Sequence, residues 1–118
     1  MGQNKRSVGA DYERSACEYL SEQGYQILEH NFYCKAGEID IVARHEGYLV
    51  FVEVKYRKDA SKGYPLEAIS MQKQKTISRC ALFYMKRYGL EKEAVRFDVV
   101  GIMGKQMQVI KNAFDFVM

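Results

Sequence analysis

The pattern of the sequence predicts an α/β fold: a central mixed sheet with a helix on either side, in the order α-β-β-β-α-β-β. Two segments place apolar residues at helical spacing, one near the start of the chain and one between residues 70 and 88. Between and after them run short stretches rich in β-branched and aromatic residues, punctuated by Gly37, Gly47 and Gly104. No repeat, low-complexity stretch or linker divides the 118 residues, which read as one domain spanning 1–118.

Ser7 is a candidate N-cap and Gly24 a candidate C′ residue for the first helix, whose inner stripe is Tyr12, Ala16, Tyr19 and Leu20. Glu13 lies at the edge of that stripe, one turn before Ala16 and Cys17. Extended segments follow at about Tyr25–Tyr33, Gly37–Arg44 and Tyr48–Tyr56, the last two joined by a turn at His45-Glu46-Gly47. A polar loop runs from Arg57 to Pro65. A long helix then spans Ser70–Tyr88 and stops at Gly89, with Ile77, Ala81, Tyr84, Met85 and Tyr88 on its apolar face. Strands at Val95–Met103 and Gln106–Lys111 complete the order.

Composition narrows the class. Apolar residues at 47% and charged residues at 28% fit a globular rather than a disordered chain. No apolar run approaches the roughly 20 residues of a membrane helix. The polar, basic start MGQNKRS shows no signal peptide, so a soluble cytoplasmic protein is expected. A net charge of +3 permits a polyanionic partner without requiring one. Cys17, Cys34 and Cys80 are widely spaced with no C-x-x-C, which argues against a disulfide framework or zinc knuckle and for a reducing compartment. His30 and His45 also lie outside any metal-ligand spacing.

The stretch that carries chemistry is GEIDIVARHEGYLVFVEVKYR, residues 37 to 57. A tight turn at Glu46-Gly47 sets His45 opposite Tyr48, and therefore Asp40 opposite Glu53 and Glu38 opposite Lys55. Directly opposed residues have Cβ atoms about 4.5–5.5 Å apart. Strand alternation gathers Glu38, Asp40, Glu53, Lys55 and Arg57 on one face. The other face, Ile39, Ile41, Ala43, Val50, Val52 and Val54, is core. Opposed carboxylates repel, and a divalent oxygen-seeking cation removes the repulsion. Asp40 and Glu53 are placed to hold Mg²⁺ or Mn²⁺, with the Val54 carbonyl as an extra ligand. Such an ion polarises a phosphoryl oxygen and activates water. Lys55 is placed to orient that water or offset charge in the transition state; neighbouring carboxylates favour its charged form, which argues against a simple general base. On spacing alone, an exposed hairpin face held by Glu38–Lys55 and Glu53–Lys55 ion pairs explains these residues better than a site does. Val42, Leu49 and Phe51 on the same face reverse that preference, because they imply a covering helix, and half-buried acids need a partner.

The same residues resemble a known group. Asp40, then Glu53-Val54-Lys55 thirteen residues on, in a hairpin after a helix bearing Glu13, looks like the PD-(D/E)xK nuclease superfamily. More closely, the chain is similar to the YraN family of small bacterial proteins, also called UPF0102. The matching pieces are Gly9 with Glu13, Gly24-Tyr25, Asn31, Gly37-Glu38-Ile39-Asp40, Phe51-Val52-Glu53-Val54-Lys55, Lys73 and Arg96-Phe97-Asp98-Val99, covering residues 8 to 100. The resemblance implies a restriction-endonuclease-like αβββαβ core and a site with the helix-borne acid of Holliday-junction resolvases. On that pattern Glu13, Asp40, Glu53 and Lys55 are the catalytic residues, and Glu13, Asp40 and Glu53 the ligands of Mg²⁺ or Mn²⁺. Two positions depart from it: Tyr12, where the family usually has Gly, and Tyr56, where Thr is common. Neither removes a ligand, though Tyr12 beside Glu13 crowds the site.

Lys73 falls on the stripe Ile69, Lys73, Ile77, Ala81 and faces the sheet, where it either reaches the acids or a phosphate or snorkels at the helix edge. Arg57, Lys62, Lys73 and Lys75 are the candidate phosphate contacts, although Lys58 and Lys62 read more simply as a solvated loop. Arg96 and Asp98 share a strand face and read as a structural ion pair; His45, at the far end of the hairpin from Asp40, is not expected to be catalytic. The leading expectation is a metal-dependent endonuclease that hydrolyses DNA phosphodiester bonds in branched or single-stranded DNA. Its rivals are a non-catalytic nucleic-acid-binding module on the same fold and an interaction domain whose acidic hairpin docks a basic protein partner. The resemblance to junction-cutting proteins, which work as dimers, allows a homodimer, but no exposed stripe in the sequence identifies a dimer face.

Overall fold

The structure, a computed structural model, describes residues 5–58 and 69–117, with side chains from residue 11 onward. The chain runs α1 (Lys5–Glu22), β1 (Gln26–Cys34), β2 (Gly37–His45), β3 (Tyr48–Arg57), α2 (Met71–Tyr88), β4 (Val95–Met103) and β5 (Gln106–Phe114). The strands lie side by side in chain order, antiparallel except for β3 and β4, which run parallel. A parallel pair needs a crossover, and the segment joining β3 to β4 contains α2. This is the α/β order with a mixed sheet that the sequence predicts. Among the described residues no helix is long and apolar enough to cross a membrane.

Local chemistry explains most boundaries. The Ser70 hydroxyl accepts the Lys73 N–H at 3.1 Å and starts α2. Gly89 ends it with φ 66°, a left-handed conformation that glycine adopts without a Cβ penalty, while the Leu90 N–H reaches back to the Met85 carbonyl at 2.8 Å. The β2–β3 turn takes positive φ at both Glu46 (53°) and Gly47 (83°), the handedness that matches the twist of a two-residue hairpin. It pairs His45 with Tyr48, as expected. One boundary differs: α1 begins at Lys5, so Ser7 lies inside the helix and is not its N-cap. β5 also continues past Lys111 to Phe114.

Each face of the sheet is covered by one helix. Ile77, Cys80, Ala81, Tyr84 and Met85 of α2 pack on Phe32, Val42, Leu49, Phe51 and Phe97. Ala16 and Leu20 of α1 pack on Ile41, Ala43, Val50, Val52, Val100 and Ile102. Each Val, Leu, Ile, Phe or Met among them contributes about 1.5–3 kcal/mol on full burial. Simple alternation would put Ile39 with Ile41, yet Ile39 joins Phe32 in the α2 cluster. The physical reason lies beside it. Asn31 of β1, between the pairs His30–Ile41 and Phe32–Ile39, has φ 56°, and a left-handed residue inside a strand breaks its period of two.

A polar cluster closes the opposite end of the hairpin. Asp98 is fully buried, and its carboxylate accepts from Arg96 Nε at 2.9 Å and Nη2 at 2.8 Å. It also accepts from the Tyr25 hydroxyl at 2.6 Å and the Asn112 N–H at 2.9 Å. The His45 ring stacks on Tyr25 with centroids 3.9 Å apart, and its Nδ1 lies 2.7 Å from Arg96 Nη2. The same Nδ1 lies 3.1 Å from Glu46 Oε1, and His45 is a member of this cluster. The expected Arg96–Asp98 ion pair is therefore present, with more partners than the strand pattern disclosed.

Candidate functional site

β2 and β3 stay paired from the turn as far as Ile41–Val52. One step further, the Val54 N–H donates to Asp40 Oδ2 at 2.8 Å, so a side-chain carboxylate takes a bond that a carbonyl would take in a continuing ladder. Asp40 is held at a fixed point by this bond. The Val54 carbonyl was the expected extra ligand; its N–H is the group that demonstrably engages the site.

Around Asp40 lies an open cleft of about 230 Å³. Glu13 enters it from α1, Glu38 and Asp40 from β2, Glu53 from β3 and Lys73 from α2. Asp40 and Glu53 are each only 9% exposed, so both acids sit where water screens little of their charge. Burial first, and then the Asp40 charge, pushes the Glu53 carboxyl up to about 8; Lys73 and, less strongly, Lys55 oppose the shift. Lys73 Nζ is 3.7 Å from Glu53 Oε2. Glu13 is half-buried, and its carboxyl is also raised, by burial and next by Asp40, against a hydrogen bond from Asn31 that lowers it. Four acids therefore face one cleft, and two of them, Glu13 and Glu53, are held above the ordinary carboxyl range.

Glu13, Asp40 and Glu53, separated by up to 40 residues in sequence, are thus brought together. Lys55 keeps Glu53's side of β3 by alternation and acts on its charge, but it does not line the cleft. Lys73 occupies that place. Arg57 ends β3; its Nη1 donates to the Tyr56 carbonyl at 3.3 Å, and its Nε is buried without an acceptor among the described residues. Lys75 is exposed, two residues from Lys73 and so on a different side of α2. Lys62 lies outside the described residues.

Sequence reasoning assigned Asn31 no role at the site and did not pair Tyr12 with Tyr56. Asn31 reaches Glu13 because its own left-handed backbone turns the strand at Asp40; an asparagine inside an extended run was the available signal. Tyr12 and Tyr56 stack with centroids 4.1 Å apart and 14° between planes, and both rings line the cleft. Two aromatic positions 44 residues apart in sequence thus meet in space.

The donor set suits a hard cation. Asp40 and Glu53 supply oxygen ligands in hydrogen-bonding contact with one another, and their repulsion is what a divalent ion would relieve. Among the described residues no group of three or more His, Cys, Asp or Glu side chains is placed to hold a metal ion.

Comparison with known proteins agrees with the sequence reading of the family. Residues 12–102 match the family described as "Uncharacterised protein family UPF0102". A UPF0102 protein of Lachnoclostridium phytofermentans is 54% identical over 113 residues, covering 95% of this chain and 96% of its own. One from Caldicellulosiruptor saccharolyticus is 43% identical over 94% of this chain and 99% of its own. Another, from Syntrophus aciditrophicus, is 44% identical over 98% of this chain and 93% of its own.

Proposed function

The chain belongs to the UPF0102 family, and on that premise we propose that it is a metal-dependent nuclease of the PD-(D/E)xK type that hydrolyses DNA phosphodiester bonds. The observation that carries this reading is the buried, mutually repelling pair Asp40 and Glu53 at the floor of an open cleft. Carboxylates left in that state cost stability and are kept where they do chemistry. Mg²⁺ or Mn²⁺ would be held by Asp40 and Glu53, with Glu13 lining the same cleft, and when bound would polarise the scissile phosphate. Asp40 is kept in position by the Val54 N–H. Lys73 and Lys55 offset the negative charge that accumulates as the phosphate is attacked, Lys73 from inside the cleft and Lys55 from its margin. Arg57, at the end of β3, would hold a neighbouring phosphate. The Tyr12–Tyr56 pair offers an aromatic wall on which an unpaired base can stack, which favours single-stranded or branched DNA over intact duplex.

A labelled panel of single strand, duplex, flap, fork and four-way junction, incubated with Mg²⁺ or Mn²⁺, tests the reading. Metal-dependent cutting that disappears in Asp40→Asn and in Lys73→Met supports it. Cutting of equal strength in the variants indicates a contaminant and overturns it. The second reading, a non-catalytic binding module, draws on Lys73 already neutralising part of Glu53's surroundings. It predicts salt-sensitive binding with no cutting in any metal.

A further inference from the structure

Two thiols that are 46 residues apart in sequence lie against each other behind the cleft. Cys34, the last residue of β1, points its Sγ at Cys80 Sγ of α2 across 3.4 Å. Cys80 is fully buried in the core beneath α2, whereas Cys34 is only partly covered. A disulfide needs sulfurs about 2.0 Å apart, so the pair is within a little over an ångström of bonding distance. The neighbouring backbone is already pressed onto the helix. A Cβ at Gly37, the first residue of β2 and the partner of Cys34 across the strand pair, would lie 2.7 Å from Thr76 Cγ2 and 3.6 Å from Cys80 Sγ. α2 and the β1–β2 turn thus hold the thiols together from both sides. Cys17 lies on the other face of the sheet, beside α1's cluster, and has no part in this arrangement.

We propose that Cys34 and Cys80 form a dithiol modification site that a small-molecule disulfide, of the glutathione-disulfide class, converts to a reversible intramolecular bridge between β1 and α2. The chemistry balances as two exchanges. The Cys34 thiolate attacks one sulfur of the oxidant, the oxidant's S–S bond breaks, and one small thiol leaves. The Cys80 thiol then gives up its proton and attacks Cys34 Sγ, breaking the mixed disulfide and releasing the second small thiol. Two electrons and two protons pass from the protein to the oxidant. Exposure gives the order: the oxidant reaches Cys34, and only Cys34 presents its sulfur to Cys80. Burial pushes the Cys80 thiol up to about 12, with the contact to Cys34 adding to the shift, so the second exchange is the slow one. Lys73 lies two turns before Cys80 on the sheet-facing side of α2, so the bridge would fasten the helix that brings Lys73 to Glu53. None of this depends on the nuclease reading.

The test uses the full-length protein and glutathione disulfide. Incubation, acid quenching, alkylation in denaturant and intact-mass analysis should show one alkylated thiol instead of three, with peptide mapping joining Cys34 to Cys80. The bridged form should melt higher by on the order of 10 °C, because the bond closes a long loop in the unfolded chain. In Cys80→Ser the reaction should stop at the mixed disulfide on Cys34, and in Cys34→Ser the thiol at 80 should stay unmodified. Three alkylated thiols after oxidation, a stable mixed disulfide on the parent protein, or a bridge that includes Cys17 would each overturn the proposal.

Discussion

Asp98 and Glu53 are buried carboxylates on the parallel strands β4 and β3, where Asp98 pairs with Val52 and Glu53 with Val99. The fold treats them in opposite ways. Asp98 has a guanidinium on both oxygens, a tyrosine hydroxyl and a backbone N–H, all within 2.9 Å. Glu53 has another carboxylate as its neighbour and a lysine 3.7 Å away that is itself 43% exposed. A buried acid that only supports the fold is expected to be saturated with donors, as Asp98 is. The incomplete coordination of Glu53, next to an open cleft, marks the end of the molecule where a ligand is expected.

Removing one partner from the saturated cluster gives the largest expected effect. Arg96→Ala leaves the Asp98 charge buried and should cost about 3–5 kcal/mol by denaturant unfolding, as broken buried pairs do. A cost below about 1 kcal/mol would show that the cluster does not hold this end together. The opposite sign is expected in the cleft. Glu53→Gln removes a repulsive charge, so the metal-free variant should match the parent near pH 4.5 and be the more stable of the two at pH 7 and above.

The pH dependence sharpens this contrast. In the folded protein the Glu53 carboxyl lies at about 8, against an ordinary value of 4.5. The folded state therefore keeps a proton that the unfolded chain gives up. The resulting stability is present in full below about pH 4.5 and is lost as pH rises through about 8. Urea midpoints of parent and Glu53→Gln, measured without metal across that window, should diverge in favour of the variant as pH rises. Parallel curves would mean that Glu53 is not held protonated. The smallest effect belongs to Lys73→Met. Its lysine is half exposed, so the loss of the Glu53 pair should cost under about 1 kcal/mol at pH 9. Its effect on DNA cutting should be far larger than its effect on stability.

The parts of this comparison that sequence could disclose are those set by local rules. The Glu46-Gly47 turn fixed the hairpin register, and that register predicted the meeting of Asp40 and Glu53. Ser70 and Gly89 marked the limits of α2, and period-two spacing put Arg96 and Asp98 together. The misreadings arose where a side chain or an unusual φ overrode the period. Asn31 turned its strand, Asp40 took a ladder bond, and Ile39 changed sides. Contacts across long separations were invisible for a different reason. Tyr25 meets Asp98 over 73 residues and Cys34 meets Cys80 over 46, and no local pattern encodes such encounters. Lys73 was legible as a sheet-facing lysine, but only the packing of α2 shows that it reaches Glu53 in the cleft while Lys55 stays at the margin.

The central claim, that Asp40 and Glu53 are kept unsaturated for a cation, is tested most directly by calorimetric titration of Mn²⁺ into the metal-free protein and into Asp40→Asn. Circular dichroism should first confirm that both are folded. The account predicts a saturable isotherm for the parent that is lost in the variant, with release of a proton on binding as Glu53 ionises. Equal affinity in the two proteins, or no binding in either with DNA present or absent, would contradict it.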